Sequence, residues 1–365
     1  MDLSNNPKTK ARLIYISGVL IAGCIAVWYL TGCTCHADVY NEYVFQPWQL
    51  LRISVLRYVP ISIGDIVYLS WVFGLIIFVI KCLYQLFSSH QEGALWNIIV
   101  KGIASLASVY IFFMLGWGGN YYKQPLEQYW QLDKQNWNDS SLVAFDKFLV
   151  QQMNATVHGY HDHTFKLIRD EAIRNYKNET DCANKGKGLC IKPSLFGNML
   201  QYMGVQGYYN PFTGEGQVNK NELPFMMPYI VSHELAHQSG VGAEDDANML
   251  AYAVAVSSND STFRYSAYFS LWLYTHIQVR MRDTTLANEI KKELNSISLR
   301  HLDELRKQRK KYRSKFSSYT GDMYDQYLKF NHQKDGIESY DKVTLSAYAW
   351  EHKRIHSPES KIYIP

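Results

Sequence analysis

Apolar positions are unevenly spread along this chain. From Leu13 to Leu30 the residues run without a charge, and two further apolar stretches follow, Ile61 to Ile80 and Gly102 to Trp117. At a helical rise of about 1.5 Å per residue, such stretches approach the thickness of a bilayer core of roughly 30 Å. The pattern therefore predicts transmembrane helices near 13–31, 61–82 and 98–117. Between the first two, residues 33–60 read as a polar and aromatic loop (Tyr40, Tyr43, Phe45, Trp48) lying at the outer interface. Asp65, near the start of the second span, reads as an interfacial anchor rather than a functional intramembrane acid.

After Gly118 the pattern changes to mixed amphipathic segments. Ser140 and Ser141 are expected to cap a helix with apolar positions at Leu142, Val143, Phe145, Phe148, Leu149 and Val150, and a second helix is expected over about Thr164–Tyr176. Residues 204–219, GVQGYYNPFTGEGQVN, alternate turn residues with β-formers. They are expected to form either a structural hairpin or an edge strand that an extended peptide joins. Ala247–Val256 and Phe263–Val279 predict buried helices, and the charged stretch Thr284–Phe316 a solvent-facing helix or helix pair. Tyr324–Leu328, Tyr340 and Ala347–Trp350 close the domain. The expectation is a mainly α protein with a minor β element: a membrane anchor over 1–119 and a soluble domain over 120–365.

The 365 residues carry a net charge of only +4, with no basic stripe, which gives no footprint for nucleic acid. Lys8, Lys10, Arg12, Lys81 and Lys101 fall on one side of the expected spans, against Arg52 and Arg57 on the other. The positive-inside rule then places the N-terminus in the cytoplasm and everything after Gly118 outside, the periplasm in a bacterium. A cleaved signal peptide competes for the first span, because Leu30-Thr31-Gly32-Cys33 has the form of a lipoprotein cleavage box; that apolar run is long for a signal, however, and further spans follow. Cys182 and Cys190 flank a short Gly/Lys-rich loop and are expected to close it with a disulfide. Cys33 and Cys35 have no assignment.

The candidate chemistry lies in His233-Glu234-Leu235-Ala236-His237. Residues four apart on a helix share a face, so both imidazoles can reach one metal ion while Glu234 stands beside it as general base. Catalytic zinc usually takes three protein ligands and keeps one position open. Gly240 is expected to stop the helix, and Val241-Gly242-Ala243 to return the chain so that Glu244 becomes the third ligand; Asp245 or Asp246 could take its place. For the oxyanion of the tetrahedral intermediate, Tyr265, Tyr268, Tyr327 and His276 are unranked candidates.

The segment HELAHQSGVGAEDDAN resembles the zincin metallopeptidases. The third histidine of the metzincin pattern would fall at Ala243, which excludes that branch. Glu244 to Asn248 resembles the E-x-x-A-D segment of membrane-bound gluzincins, the prenyl-protein endopeptidases and their bacterial heat-shock relatives. In those enzymes the Glu is a zinc ligand and the Asp braces another ligand; here Asn248 replaces that Asp, and the spacing from His237 is shorter. Over nearly the whole chain the sequence resembles the membrane family called domain of unknown function 3810. That likeness rests on Trp117-Gly-Gly-Asn-Tyr-Tyr122, Pro211-Phe-Thr-Gly-Glu215, the H-E-x-x-H segment, Tyr327-Leu-Lys-Phe-Asn331 and Gly336-Ile-Glu-Ser-Tyr340.

The resemblance implies a zincin-like, Zn2+-dependent metalloendopeptidase in the bacterial inner membrane, with Glu234 catalytic, His233, His237 and Glu244 as ligands, and peptides or proteins of the envelope as substrates. The competing expectations are a non-catalytic zinc-binding envelope scaffold or pseudoprotease, and a membrane scaffold or transporter component. Glu234 favours catalysis, because a structural zinc site would need a fourth ligand instead.

Overall fold

The computed structural model of the protein describes residues 7–87, 94–134, 137–181, 188–313, 326, 340–356 and 361–365. It is mainly helical with one small sheet. Three long apolar helices occupy the first third: α1 (Pro7–Thr31), α4 (Ile63–Phe87) and α5 (Ala94–Gly116). Ile63–Phe87 and Ile98–Gly116 are each long and apolar enough to cross a membrane. Gly18–Leu30 forms with Thr34–Leu56 a pair bent by 117°.

The segment expected as a loop over 33–60 is helical instead. It comprises α2 (Thr34–Tyr40), a π-helical turn (Asn41–Phe45) and α3 (Gln46–Leu56). Its inward face carries polar side chains that bond to backbone elsewhere: Gln46 Nε2 donates to the Ser239 carbonyl (2.9 Å), Gln49 Nε2 to that of Gly214 (2.8 Å), and Arg52 Nη1 to that of Pro211. Those polar residues suggest a solvated loop when the chain is read alone; here they bind carbonyl groups of the protein. Cys33, just before α2, is bonded to Cys35.

Asp65 is also placed differently from expectation. It is fully buried in the first turn of α4 and accepts hydrogen bonds from the Leu195 backbone N–H (2.6 Å), the Ser194 hydroxyl (3.2 Å) and Tyr208. A carboxylate so fully used by donors joins α4 to the rest of the chain and does not face lipid headgroups.

Downstream lie α6 (Leu126–Tyr129), α7 (Asp139–Thr156), α8 (Phe165–Glu179), β1 (Ile191–Pro193), α9 (Gly197–Met203), β2 (Gly207–Tyr209) and β3 (Gly216–Val218). They are followed by α10 (Met227–Gln238), α11 (Glu244–Ser257), α12 (Ser261–Arg282), α13 (Thr284–Lys292), α14 (Ser296–Tyr312) and α15 (Tyr340–His356). The N-cap of α7 is Asn138, whose side chain accepts from the Ser141 N–H, and not one of the serines. The charged stretch from Thr284 resolves into the helix pair α13–α14.

One apolar core runs through α7, α8, α10, α11 and α12, with Leu235, Leu250, Tyr252, Phe269 and Trp272 among its fully enclosed side chains. A second cluster of Leu30, Tyr40, Phe45, Trp117 and Tyr209 joins the helices of the first third of the chain to the sheet. The strand order is β1-β3-β2, with β1 parallel and β2 antiparallel to β3. The segment 204–219 is thus a hairpin whose first strand, β2, is also a sheet edge.

The hairpin turn is set by Asn210, whose side chain accepts from the N–H groups of Phe212 and Thr213 (3.0 Å each), and by Gly214 at φ +74°. Phe212 at its tip packs among Trp71, Phe112 and Phe113 of α4 and α5. Cys190 is buried, with its sulfur in no disulfide among the described residues; Cys182, its expected partner, lies outside them. The Cys190 backbone is held by Gln238, which accepts from its N–H (2.7 Å) and donates to its carbonyl (3.1 Å).

Candidate metal centre

The motif helix α10 ends as its sequence requires. Gly240 adopts φ +98°, its N–H bonds the His237 carbonyl (2.9 Å), and the Val241 N–H bonds that of Ala236 (3.2 Å). This is the paired bond pattern of a left-handed helix stop, and it turns the chain back beside His237. The return is compact because Gly242 lies against the backbone of Asn120, where a Cβ would come within 2.8 Å. The Trp117-Gly-Gly-Asn-Tyr-Tyr122 motif therefore packs directly on the loop that positions Glu244. Helix α11 begins at Glu244 with three acidic residues in its first turn, where the helix dipole favours negative charge.

His233, His237 and Glu244 come together. The two Nε2 atoms are 3.1 Å apart; Glu244 Oε2 is 3.3 Å from His233 Nε2, and Glu244 Oε1 is 3.3 Å from His237 Nε2. Donors held at about 2.0–2.1 Å by a tetrahedral zinc stand about 3.3 Å apart, so this set fits such an ion. His237 Nδ1 lies 2.8 Å from the Val241 carbonyl, which takes its proton and leaves Nε2 turned toward the cluster. His233 Nδ1 has no hydrogen-bond partner among the described residues. The three side chains are 15%, 8% and 20% exposed, open enough for a small molecule to reach them.

The acidic alternatives fall elsewhere. Asp246 accepts from the Leu126 N–H (2.9 Å), and its carboxyl is pushed well up by burial and by neighbouring Asp245. Asn248 accepts from the Tyr229 hydroxyl (3.1 Å).

Glu234 is 3% exposed, and its Oε2 has no hydrogen-bond partner among the described residues. Burial pushes its carboxyl up, against the pull of both histidines, to about 7. Burial works against charge on His237 too, but the Glu244 and Glu234 carboxylates and the Val241 carbonyl outweigh it and raise this histidine to about 9. Burial would likewise raise Glu244, yet His237 and His233 hold it well below the usual carboxylate range. Without an ion the cluster therefore retains a proton on His237, and a cation entering there has to displace it.

Sequence reasoning missed the glycines that press the sheet onto Glu234. A Cβ at Gly207 would stand 2.6 Å from Glu234 Oε1, and one at Gly216 would stand 3.3 Å from Glu234 Cβ. It also missed Gln238, next after the second histidine, which ties α10 to Cys190 and to the Gly214 carbonyl (2.6 Å). The signal was present in the Gly-rich spacing of the hairpin, but no single glycine identifies its neighbour.

Of the oxyanion candidates, the Tyr265 hydroxyl is engaged by His301 (2.8 Å) and Ser298, Tyr268 is buried against Phe148 and Tyr252, and His276 pairs with Asp146 (2.9 Å). Tyr327 lies outside the described residues, as do the 327–331 motif and all of the 336–340 motif except Tyr340.

The fold and site define a mainly helical chain with membrane-compatible helices and a His/His/Glu cluster able to hold a metal ion. It belongs to the family described as Protein of unknown function (DUF3810), whose model matches residues 40–346. No curated protein and no solved structure matches the chain.

Proposed function

We propose that the protein is a membrane-anchored zinc-dependent endopeptidase. The observation that carries this reading is the triplet of donors on His233, His237 and Glu244 at tetrahedral spacing, with the buried Glu234 carboxyl beside them. A bound zinc ion would supply Lewis acidity, lowering the pKa of a coordinated water from 15.7 toward about 7.

The chain's own groups account for the rest. Val241 fixes the tautomer and aim of His237. Glu234, with a carboxyl near 7, is able to accept a proton from water and return it to a leaving amine at neutral pH. The edge strand β2 lies above Glu234, where an extended peptide can add as a further strand. The zincin-like reading of 120–365 rests on this motif helix under a small sheet.

The reading places three crossings in the anchor 1–119, the N-terminus in the cytoplasm and the cluster in the periplasm of a bacterial inner membrane. Its support is the lysine distribution and the apolar helices. Zinc content and hydrolysis of casein or peptides test it, with the detergent-purified protein compared against Glu234→Gln. Both proteins should hold one zinc and only the parent should cut. Zinc in both with cleavage in neither would leave the non-catalytic scaffold as the better reading.

A further inference from the structure

The small sheet lies between the motif helix and the start of α4, and its two faces are chemically different. Side chains alternate between faces along a strand. Gly207 and Gly216 face α10 and Glu234. Tyr208, Gln217 and Lys192 face the other way, onto the start of α4. Tyr208 donates to Asp65 and its ring lies 6.2 Å from that of Tyr68; the Gln217 amide meets the Ser62 hydroxyl at 3.0 Å; Lys192 Nζ donates to the Leu56 and Ile61 carbonyls, both at 2.9 Å. Packed layers lie about 10 Å apart, so Glu234 stands on the order of 10–15 Å above the first turn of α4.

The segment α2–α3 fixes that height. Its outward face is largely apolar (Val39, Tyr43, Val44, Leu50, Leu51, Val55), with Glu42 exposed among these residues, while Gln46, Gln49 and Arg52 point inward to carbonyl groups. This is the reverse of a helix facing water, and Trp48 of α3 packs on Phe112 near the end of α5. The apolar face therefore continues the lipid-facing surface of the spans.

Among the described residues no strand pairs with the outer side of β2. The Asn219 N–H bonds the Gln206 carbonyl and the Asn210 N–H that of Glu215, both at 2.8 Å. In an antiparallel ladder the intervening residues turn their N–H and C=O groups outward, so those of Gly207 point away from β3 beside Glu234. From the top of α4 an exposed apolar row, Leu195, Met199 and Tyr202, runs along the approach to α9 and the helix itself, which leads into β2. It begins where Asp65 of α4 holds the Leu195 N–H.

We propose that the substrate is a membrane-anchored polypeptide. Its apolar helix lies along α4, and its extended juxtamembrane segment crosses Leu195, Met199 and Tyr202 to pair with β2 at Gly207. The row and the edge of β2, unpaired among the described residues, form one path from the lipid-facing surface of α4 to Glu234, and the path suits an apolar helix followed by an extended strand. At about 3.3 Å per residue, the segment reaches Glu234 about three to five residues beyond the bilayer. Cleavage there rests on the peptidase reading; docking does not.

The test uses full-length Glu234→Gln in phosphatidylcholine nanodiscs. The probe is a synthetic peptide with a Leu/Ala span of about twenty residues, a flexible polar tail, and a benzophenone about four residues past the span. Photolabelling should fall within residues 195–209, at least about ten-fold above that by the same tail lacking the span, since tethering raises its effective concentration. Met199→Asp, which changes an exposed side chain, should bring the signal down to the untethered level, and moving the benzophenone to about ten residues past the span should remove it.

Labelling elsewhere, or indifference to Met199→Asp, overturns the proposal. With the parent protein, specific labelling without cleavage of either peptide would uphold docking and sink the peptidase reading. Equal cleavage of tethered and free tails, with no labelling preference, would do the opposite.

Discussion

Gly207→Ala tests the link between the sheet and the Glu234 carboxyl, the general base of the proposed peptidase. The added methyl would stand 2.6 Å from Glu234 Oε1 and 2.9 Å from the Gln217 backbone carbonyl. The carbonyl belongs to the paired strand β3 and cannot retreat without opening the ladder, so relief must come from Glu234 turning aside and from β2 lifting. Overpacking of this kind costs about 1–3 kcal/mol, which lowers Tm by roughly 1–4 °C for a chain of this size. A general base displaced by about 1 Å loses on the order of a hundred-fold in rate. His233, His237 and Glu244 are not touched by the new methyl, so zinc content should stay at one per chain. The assay is kcat for a cleaved peptide alongside metal analysis and thermal unfolding. Gly74→Ala serves as the control, because its Cβ would meet nothing within 4 Å. Parental kcat and Tm in Gly207→Ala would refute the reasoning, since the sheet could not then be pressed on Glu234.

Three further outcomes are expected. Glu244→Ala should lose stoichiometric zinc, whereas Asp246→Asn should keep it with no loss of stability at neutral pH, because Asp246 lies outside the His/His/Glu cluster, burial and Asp245 already oppose its charge, and an amide oxygen still accepts from the Leu126 N–H; full zinc retention in Glu244→Ala would remove that residue from the proposed ligand set. Lys192→Met leaves the Glu215 carboxylate buried without its ion pair and should cost about 3–5 kcal/mol in denaturant unfolding, with Lys192→Met/Glu215→Gln recovering most of it. Burial raises Glu222 from 4.5 to about 7, against the hydrogen bonds of nearby glutamines. Its folded pKa lies above the unfolded one, so its contribution is fully present below about 4.5 and is lost as pH rises through 7. The stability of Glu222→Gln relative to the parent should therefore grow between pH 5 and 8, and parallel pH curves would count against the assignment.

Two kinds of residue were legible in the sequence. The apolar runs announced α4 and α5, and H-E-x-x-H with Gly240 announced both α10 and its reversal toward Glu244, because these signals are local and their physics acts within a few residues. The segment 33–60 reads as a loop in the sequence for a different reason. Its polar side chains find their partners about 160 residues and more away in the chain, and the π turn at Asn41–Phe45 shifts the helical phase in the middle of the pattern. The surroundings of Asp65 are hidden in the sequence for the same reason: its partners are the Leu195 N–H, Ser194 and Tyr208, none of which the span itself reveals.

These unread contacts bear on the site. Gln46 holds the Ser239 carbonyl at the end of the motif helix, and a Cβ at Gly240 would meet Asn41 Oδ1 at 2.5 Å. Gln49 and Gln238 share the Gly214 carbonyl, so the π turn, α3, the hairpin and α10 meet at adjacent points. Any movement of α3 must strain the helix stop that aims His237 and returns the chain to Glu244, because bonded contacts of 2.6–2.9 Å leave little slack between them. The His/His/Glu cluster is thus built on the helices of the first third of the chain, and its position and the spacing of its three side chains depend on the same few residues.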